Sequence, residues 1–430
     1  MTKLTEWIWG QSINPRLILK KPELLIVLLA LLAAAAKAYC AWTTIGTADV
    51  AFFAQYGHIV AERGVAAVYR EVPIYNHPPL LTEYIGLVSD WSGGSGRAVA
   101  RMIRLPGVAA DFGLVGVLLW VRRKTGRPAW WALALFAVSP VSFMISGYHG
   151  NFDPFIALGL TLAAAACLTG DARLCGLLLG LTAQVKVIPV LVAPVFFFYW
   201  LHRRRAVPFT VTAVLVTLTG WIVPLLEVPG LFFRQSLGQS SIWGWWGVSF
   251  LLRLTGVPSL HSSLPPYGAV QSVIILVFKL VIIGGILALA WRRRALPAAE
   301  VFSTLALAFL TFLVFAPGFG VQYLLWLPPF LLLRSERWSV AVMAASSVGL
   351  FAFYNSISGG VPWDKGLVIQ PFIGTWGPWL LVPWAMLAVC LAAQARSGFP
   401  AAADAAGQDK PVALAGQTQL THGDVTTQLG

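Results

Sequence analysis

Apolar segments of about 20 residues, the length of a membrane-spanning helix, recur along almost the whole of this 430-residue chain. Only 11% of the residues are charged and 58% are hydrophobic, whereas soluble domains carry about 25% charged residues. A soluble fold of this size cannot hide so much apolar surface. The segments also lack the alternation of membrane β-strands, and hydrocarbon does not tolerate unpaired backbone groups. We therefore expect an all-α, polytopic transmembrane helical bundle of about 12 spans.

The basic residues stand in short clusters between the apolar segments, and the net charge is +13. This placement is typical of the positive-inside arrangement of membrane proteins, not of a nucleic-acid-binding face. We therefore expect contact with membrane lipids, no nucleic-acid partner, and both termini in the cytoplasm. The clusters are Lys20-Lys21, Arg122-Arg123-Lys124, Arg203-Arg204-Arg205, Arg292-Arg293-Arg294, and Arg334 with Arg337.

The first long polar break lies outside the membrane in this topology, at about residues 43–97. In Asp49–Gly64, apolar residues such as Phe53 and Tyr56 recur at helical spacing, which predicts an interfacial amphipathic helix. Pro78–Trp91 is either a second interfacial helix or a short span. As a span, it would put the basic cluster that begins at Arg122 on the outside, so we favour the interfacial helix.

The remaining topology follows from the apolar segments. Spans are predicted at about 22–42, 99–121, 129–146, 153–169, two halves of 174–201 that turn near 186–189, 207–226, 269–291, 298–315, 321–333, 338–355 and 374–395. The predicted division is a cytoplasmic N-terminus 1–21, a membrane domain 22–335 with outer loops 43–97 and 227–268, C-terminal transmembrane helices 336–395, and a disordered cytoplasmic tail 396–430.

Asp49 opens the first outer loop at the lipid boundary, where a carboxylate is costly unless it is solvated or paired. In a cleft, it would suit a general base that removes the proton of a hydroxyl group. The alternative is a helix N-cap, for which Asp is a favoured residue.

Tyr75, Asn76 and His77 stand on a turn that Pro78 and Pro79 stiffen. They offer hydrogen-bonding groups for a sugar at the membrane surface. The alternative is a rigid helix start, since proline suits the first helical turn.

His149, Asn151 and Asp153 form a compact polar cluster beside Gly150, between two predicted spans. This combination of imidazole, amide and carboxylate fits a binding or catalytic turn. The alternative is a polar turn in which Asp153 caps the next helix.

Lys186 is a lone ammonium in an apolar run and requires an anionic partner, such as a lipid phosphate or a carboxylate, unless it snorkels to the surface. Arg101 and Arg104, at the outer end of a predicted span, are candidates for the same anion or for interfacial anchors. Gln322 follows a Gly-Pro break at the same face, where such breaks often line a cavity.

Taken in order, five passages resemble the GT-C superfamily, the polytopic membrane glycosyltransferases that use polyprenyl-phosphate sugars. The resemblance covers about residues 22–335, and the order and spacing of the passages are similar to those of the bacterial mannosyltransferase- and arabinosyltransferase-like branches and of the eukaryotic enzymes that extend lipid-linked glycans. The passages are TAD at 47–49, YREVPIYNHPPLL at 69–81, SPVSFMISGYHGNFDP at 139–154, QVKVIPVLVAPVFFFYW at 184–200 and GVQYLLWLPPFLLL at 320–333.

The resemblance implies that Asp49 is the general base for an inverting sugar transfer and that polyprenyl phosphate is the leaving group. It also implies that Lys186, Arg101 and Arg104 bind the donor phosphate, while the two polar turns and Gln322 line the sugar or acceptor cleft. Many relatives carry paired acids in the first loop, whereas this chain has Ala48-Asp49. We therefore expect no cofactor, with a divalent metal left open.

The expected function is transfer of a hexose or pentose, preferably mannose-like, from a polyprenyl-phosphate donor to a lipid-linked or envelope glycan acceptor. The expected location is the bacterial inner membrane, with the active site facing the periplasm. Two rivals are a polytopic transporter or lipid flippase, which would favour mid-membrane charges and repeated halves, and a non-catalytic membrane scaffold.

Overall fold

The computed structural model describes residues 21–237, 242–263, 265–318, 320–361, 363 and 373–396. Within these ranges the chain is helical, and an isolated bridge between Trp243 and Gly318 is the only β-type pairing. The predicted all-α class is therefore confirmed. Most of the predicted cytoplasmic N-terminus and almost all of the predicted tail lie outside the described residues.

The predicted first outer loop, residues 43–97, is mostly helical. Its polar composition did not predict all of these helices. A first span leads into three shorter helices and then into a long, proline-containing return helix. These are α1 (Lys21–Thr43), α2 (Ala48–Arg63), α3 (Val65–Glu71), α4 (Pro79–Trp91) and α5 (Gly96–Thr125). The predicted helices at Asp49–Gly64 and Pro78–Trp91 correspond closely to α2 and α4, whereas α3 was not anticipated.

The span predicted at 129–146 is not one continuous α-helix. It consists of α6 (Trp130–Ala137), a single turn α7 (Pro140–Ser142) and a π-helix at Phe143–His149, here called the π segment. Gly150 ends this segment in the left-handed region, with φ 83°. The chain then enters α8 (Asp153–Leu168).

The middle of the chain follows the prediction most closely. The expected pair of short helices with a turn near residue 186 is present, and a full-length helix follows it. These are α9 (Ala172–Val185), α10 (Pro189–His202) and α11 (Ala206–Glu227). The second outer loop contains α12 (Pro229–Phe232), a π-helix at Phe233–Leu237, α13 (Gly247–Leu254) and a 3-10 turn at Pro258–Leu260.

The span predicted at 321–333 is wrong. This stretch is a 3-10 turn, Val321–Leu325, followed by the seven-residue helix α16 (Pro328–Arg334). Pro328 and Pro329 lack backbone N–H groups, and such residues suit the first turn of a helix, so α16 begins at Pro328 instead of continuing from residue 321. The other late helices are α14 (Ala269–Arg293), α15 (Glu300–Phe315), α17 (Glu336–Ile357) and α18 (Ile373–Arg396).

Seven of the described helical stretches are long and apolar enough to cross a membrane, so the count of about 12 spans is not confirmed. With 14 to 16 residues each, α8, α9, α10 and α15 cover only about 21–24 Å at 1.5 Å per residue, less than the ~30 Å of a hydrocarbon core. The candidate spans are 21–43, 96–125, 130–149, 206–227, 269–293, 336–357 and 377–396.

The helices of the first outer loop form an apolar core of their own above the ends of α5, α8 and α11. Phe53 and Tyr56 of α2 and Tyr69 of α3 are buried in it, together with Phe152 and Phe232. His58 and Glu62 lie on the exposed face of α2 and pair with each other at 3.2 Å. The amphipathic prediction for α2 is therefore confirmed, and the buried face fixes the start of α2 over the bundle.

Candidate active site

The start of α2 is tied directly to the end of the π segment. Gly46 turns the chain with φ 90°, a left-handed conformation that glycine adopts without steric cost. The Thr47 hydroxyl then donates to the backbone carbonyl of His149 at 2.6 Å. Thr47, not Asp49, occupies the N-cap position of α2, so the side chain of Asp49 is available for other contacts.

One carboxylate oxygen of Asp49 is held by His149, the last residue of the π segment, and by Asn151, which follows the segment. Its Oδ2 accepts a hydrogen bond from the Asn151 amide at 2.8 Å and lies 3.1 Å from Nε2 of His149. No hydrogen bond from the described residues is formed with Oδ1, and the Asp49 side chain is 35% exposed. The carboxylate is therefore fixed on one side and open on the other.

The orientation of His149 is set by a residue far along the chain. Its Nδ1 lies 2.9 Å from the hydroxyl of Tyr354, which is buried on α17. An ionised Asp49 only accepts hydrogen bonds, so Nε2 of His149 carries a hydrogen. In the neutral imidazole, Nδ1 then accepts the hydroxyl hydrogen of Tyr354. The contacts from Tyr354 to His149 and from His149 to Asp49 together fix the orientation of the imidazole ring and of the carboxylate.

The pKa of Asp49 lies below its ordinary value. Burial alone raises the pKa, but the hydrogen bonds from the His149 imidazole and the Asn151 amide to the carboxylate outweigh it. Asp49 is consequently ionised at neutral pH and able to accept a proton on Oδ1.

The turn between α9 and α10 places Lys186 on a buried carboxylate. Its Nζ lies 3.1 and 3.3 Å from the two oxygens of Asp153, which is fully buried. The ammonium also faces the rings of Tyr323 and Trp326, 4.7 and 5.3 Å from their centroids. The sequence offered either a lipid phosphate or a carboxylate as the anionic partner of Lys186. In the structure, the partner is the Asp153 carboxylate. Asp153 thus binds a lysine instead of capping α8.

His77 is held neutral close to Lys186 and Asp49. Burial and the nearby Lys186 lower its pKa to about 3, against the opposing effect of Asp49. Tyr69 donates to the His77 backbone carbonyl at 2.6 Å, and Tyr75 packs against the ring at 5.7 Å. Nδ1 of His77 is buried and has no hydrogen-bond partner among the described residues.

Asn76 and Gln322 lie at the same end of the bundle but outside these contacts. Asn76 is half-buried in the turn that leads to α4. Gln322 sits in the 3-10 turn beside Tyr323, with its amide packed against Gly320.

The two arginines predicted to bind phosphate have different surroundings. All N–H groups of Arg104 donate within the protein, to the carbonyls of Ala41, Thr44, Ala100 and Tyr148 and to the Thr44 hydroxyl. In this conformation Arg104 terminates α1 and has no donor left for a phosphate. Arg101 donates to the Trp42 carbonyl and stacks 3.9 Å from the centroid of its ring, as the interfacial-anchor alternative requires.

An open apolar cavity of about 830 Å³ lies next to this site, between the π segment and α17. Its lining includes Phe143 and Met144 on one side and Phe351 and Asn355 on the other, with Trp363 at the edge. The ring of Trp363 is 5.7 Å from that of Tyr354. The cavity therefore adjoins the group that orients His149.

The sequence did not identify Tyr323, Trp326 or Tyr354 as site residues. Tyr354 stands in a YNS sequence at the end of an otherwise apolar helix. Polar residues at the end of a span could have indicated a site residue. Nothing in the sequence around Tyr354, however, indicates that its partner is His149. We therefore extend the proposed catalytic unit past residue 335 to include α17.

The chain has no obvious metal cluster in its described part, where no group of three or more His, Cys, Asp or Glu side chains could hold an ion.

Two comparisons with known proteins bear on this arrangement. A family model described as "Glycosyltransferase family 87" matches residues 98–317. A search of curated proteins finds no match for the chain. The matched range contains His149, Asn151, Asp153 and Lys186, while Asp49 and Tyr354 lie on either side of it.

Proposed function

Because the chain belongs to glycosyltransferase family 87, we propose that it transfers a hexose or pentose, preferably mannose-like, from a polyprenyl-phosphate donor to a lipid-linked or envelope glycan acceptor. The observation that carries this proposal is the Asp49 carboxylate, fixed through Oδ2 and open at Oδ1. A membrane-embedded glycosyltransferase needs such a base beside the membrane face, where its lipid-borne donor is presented.

The proposed reaction is a single inverting displacement. The acceptor hydroxyl approaches Oδ1 of Asp49 and attacks the anomeric carbon of the sugar from the side opposite the phosphate. Its proton passes to Asp49 as the new glycosidic bond forms. The bond between the anomeric carbon and the phosphate oxygen breaks, and polyprenyl phosphate leaves with the bonding electrons. Proton transfer to a positioned carboxylate contributes about 10²- to 10⁴-fold to such rates.

Lys186 is the proposed ligand of the departing phosphate. Its ammonium is fixed by Asp153 on one side and by two aromatic rings on another. A fixed cation in a dry site stabilises the charge that develops as the phosphate departs. Arg101 remains a possible second phosphate ligand in this proposal, whereas Arg104 is assigned to the end of α1.

The polar turns are the proposed sugar-binding groups. The buried Nδ1 of His77, which has no partner among the described residues, suits a hydrogen bond from a sugar hydroxyl. Asn151 fixes Asp49, and Asn76 and Gln322 border the cleft. The apolar cavity beside Tyr354 is the proposed seat of the isoprenoid chain, because its lining is largely apolar and it adjoins the Tyr354–His149 pair.

The test is sugar transfer by the purified protein in lipid vesicles. We expect transfer from a short-chain polyprenyl-phosphate mannose to extracted envelope glycolipid, and no transfer from a nucleotide sugar. We expect EDTA to leave the rate unchanged, since the proposed steps use side chains alone. Transfer from a nucleotide sugar, or from none of a panel of polyprenyl-phosphate hexoses and pentoses, would overturn the proposal.

We propose a bacterial inner-membrane location with the site on the periplasmic side and the termini in the cytoplasm. In a background with Cys40 replaced by Ala, the variant Asp90→Cys should react with a membrane-impermeant maleimide in intact cells. Lys124→Cys should react only after permeabilisation. Both positions are exposed, and Cys167, Cys175 and Cys390 are buried. Labelling of both positions from one side would refute this topology.

A further inference from the structure

An ion pair lies buried among the membrane helices, away from the cleft. Nζ of Lys37, on α1, is 2.9 Å from Oδ2 of Asp111, on α5, and both side chains are 5% exposed. Ions are costly within hydrocarbon, and an apolar pair of similar volume is often equally stable or better. The sugar-transfer mechanism proposed above does not use this pair.

The pair is bonded to the segment that carries His149. The Ser146 hydroxyl donates to Oδ2 of Asp111 at 2.5 Å, and the Ser142 hydroxyl hydrogen-bonds with both Asp111 and Lys37. Ser142 immediately precedes the π segment and Ser146 lies within it. One carboxylate oxygen thus joins α1, α5 and the π segment.

The backbone contact at this junction is close. A Cβ placed on Gly147 would lie 3.2 Å from the Cα of Lys37, so α1 and the π segment touch without an intervening side chain. His149 lies two residues after Gly147, and its backbone carbonyl accepts a hydrogen bond from the Thr47 hydroxyl. The π segment is therefore held at both ends, by the ion pair below and by Thr47 above. Such π-helical turns occur frequently at functional sites.

We propose that Lys37 and Asp111 are a positioning pair, which holds the π segment in the register that directs the His149 imidazole at Asp49. This proposal rests on the proposed function for its effect on catalysis, but the position of His149 can be measured without substrate. Neither residue touches the reacting atoms, and the pair acts through Ser142 and Ser146.

The main test is the double variant Lys37→Met/Asp111→Leu, which removes both charges together, so that no unpaired ion is left buried, and takes away the acceptor of Ser142 and Ser146. We expect it to fold with a Tm close to that of the wild type. Its kcat should fall by about 10- to 100-fold, the effect of misplacing a catalytic group by about 1 Å, while the KM for the donor changes little. Ser146→Ala, which keeps the ion pair, should lower kcat in the same direction by a smaller factor.

The pH dependence of the transfer rate distinguishes a loss of positioning from a general loss of stability. Asp49 must be ionised to act, and its low pKa depends on the bond from His149, so activity falls as pH drops through that pKa. Losing the bond raises the pKa of Asp49 and should move the acid limb of the profile to higher pH. His149→Gln gives the reference shift. The titratable groups around Asp49 are His149, Tyr56, His77, Asp153, Lys186, Tyr323 and Tyr354, and the double variant retains all of them.

The substrate-free measurement is the ¹⁵N NMR spectrum of the imidazoles in protein labelled at its six histidines. The signal of His149, assigned by its loss in His149→Gln, should report the Nε2–H form in the wild type and a mixture of forms in the double variant. Ser346→Ala is the matched control, since Ser346 is also a buried serine but its hydroxyl has no partner among the described residues. It should change neither the spectrum nor the rate.

A double variant with wild-type kcat, acid limb and His149 signal would overturn the positioning role. If the wild type transfers no sugar but the His149 signal changes in the double variant, the positioning role stands and the proposed function fails.

Discussion

Asp49→Asn should lower kcat for sugar transfer by about 10²- to 10⁴-fold, the usual contribution of a general base. The amide keeps the size of the carboxylate but cannot accept the acceptor's proton. The donor should still bind, because Lys186 and its aromatic neighbours are untouched. The measurement is the initial rate of transfer at saturating donor, with donor binding measured separately.

Asp90→Asn is the matched control. Asp90 is an exposed carboxylate near the end of α4, outside the cleft, and its loss should leave the rate within about twofold of the wild type, since surface substitutions have small effects. Retention of at least a third of the wild-type kcat in Asp49→Asn would exclude Asp49 as the base.

Lys186→Met should be both inactive and unstable. It leaves the fully buried Asp153 without a partner, and breaking a buried ion pair in this way costs about 3–5 kcal/mol. It also removes the cation proposed for the departing phosphate. We expect a clear fall in Tm in detergent and loss of detectable transfer at any donor concentration. Lys124→Met, at the exposed end of α5, should change neither quantity.

The double variant Asp153→Asn/Lys186→Gln distinguishes the loss of stability from the loss of transfer. It removes both charges and keeps hydrogen-bonding groups of similar size, so much of the Tm should return. Transfer should remain at least about 100-fold below the wild type, within the range expected for removing an electrostatic stabiliser. Recovery of transfer together with Tm would show that Lys186 serves only the fold.

The elements best predicted from the sequence were those set by local hydropathy. The bounds of α1 and α11 and the turn at Lys186 were anticipated within a few residues. The predicted topology also placed Asp49, His149 and Lys186 at one face of the membrane. When each span crosses the membrane once, every second connection between spans lies on the same side. Composition and periodicity carry this information without any knowledge of tertiary contacts.

The partners of these residues were not predictable in the same way. Lys186 required an anion, but nothing local distinguished Asp153 from a lipid phosphate. Arg104 was a reasonable phosphate ligand until its N–H groups were seen to terminate α1. The π segment was also invisible, because helical periodicity over seven residues does not separate an i+4 from an i+5 hydrogen-bond pattern. Such choices depend on packing between distant segments.

The bond between His149 and Tyr354 joins positions 205 residues apart, which has a consequence for biosynthesis. Helices enter the membrane in the order of translation, so Asp49, His149 and Lys186 are all in place before α17 leaves the ribosome. Until then the His149 ring lacks the hydroxyl that fixes its tautomer. The nascent protein therefore acquires the contact that aligns His149 with Asp49, the proposed base, only near the end of synthesis, when the bundle is almost fully inserted.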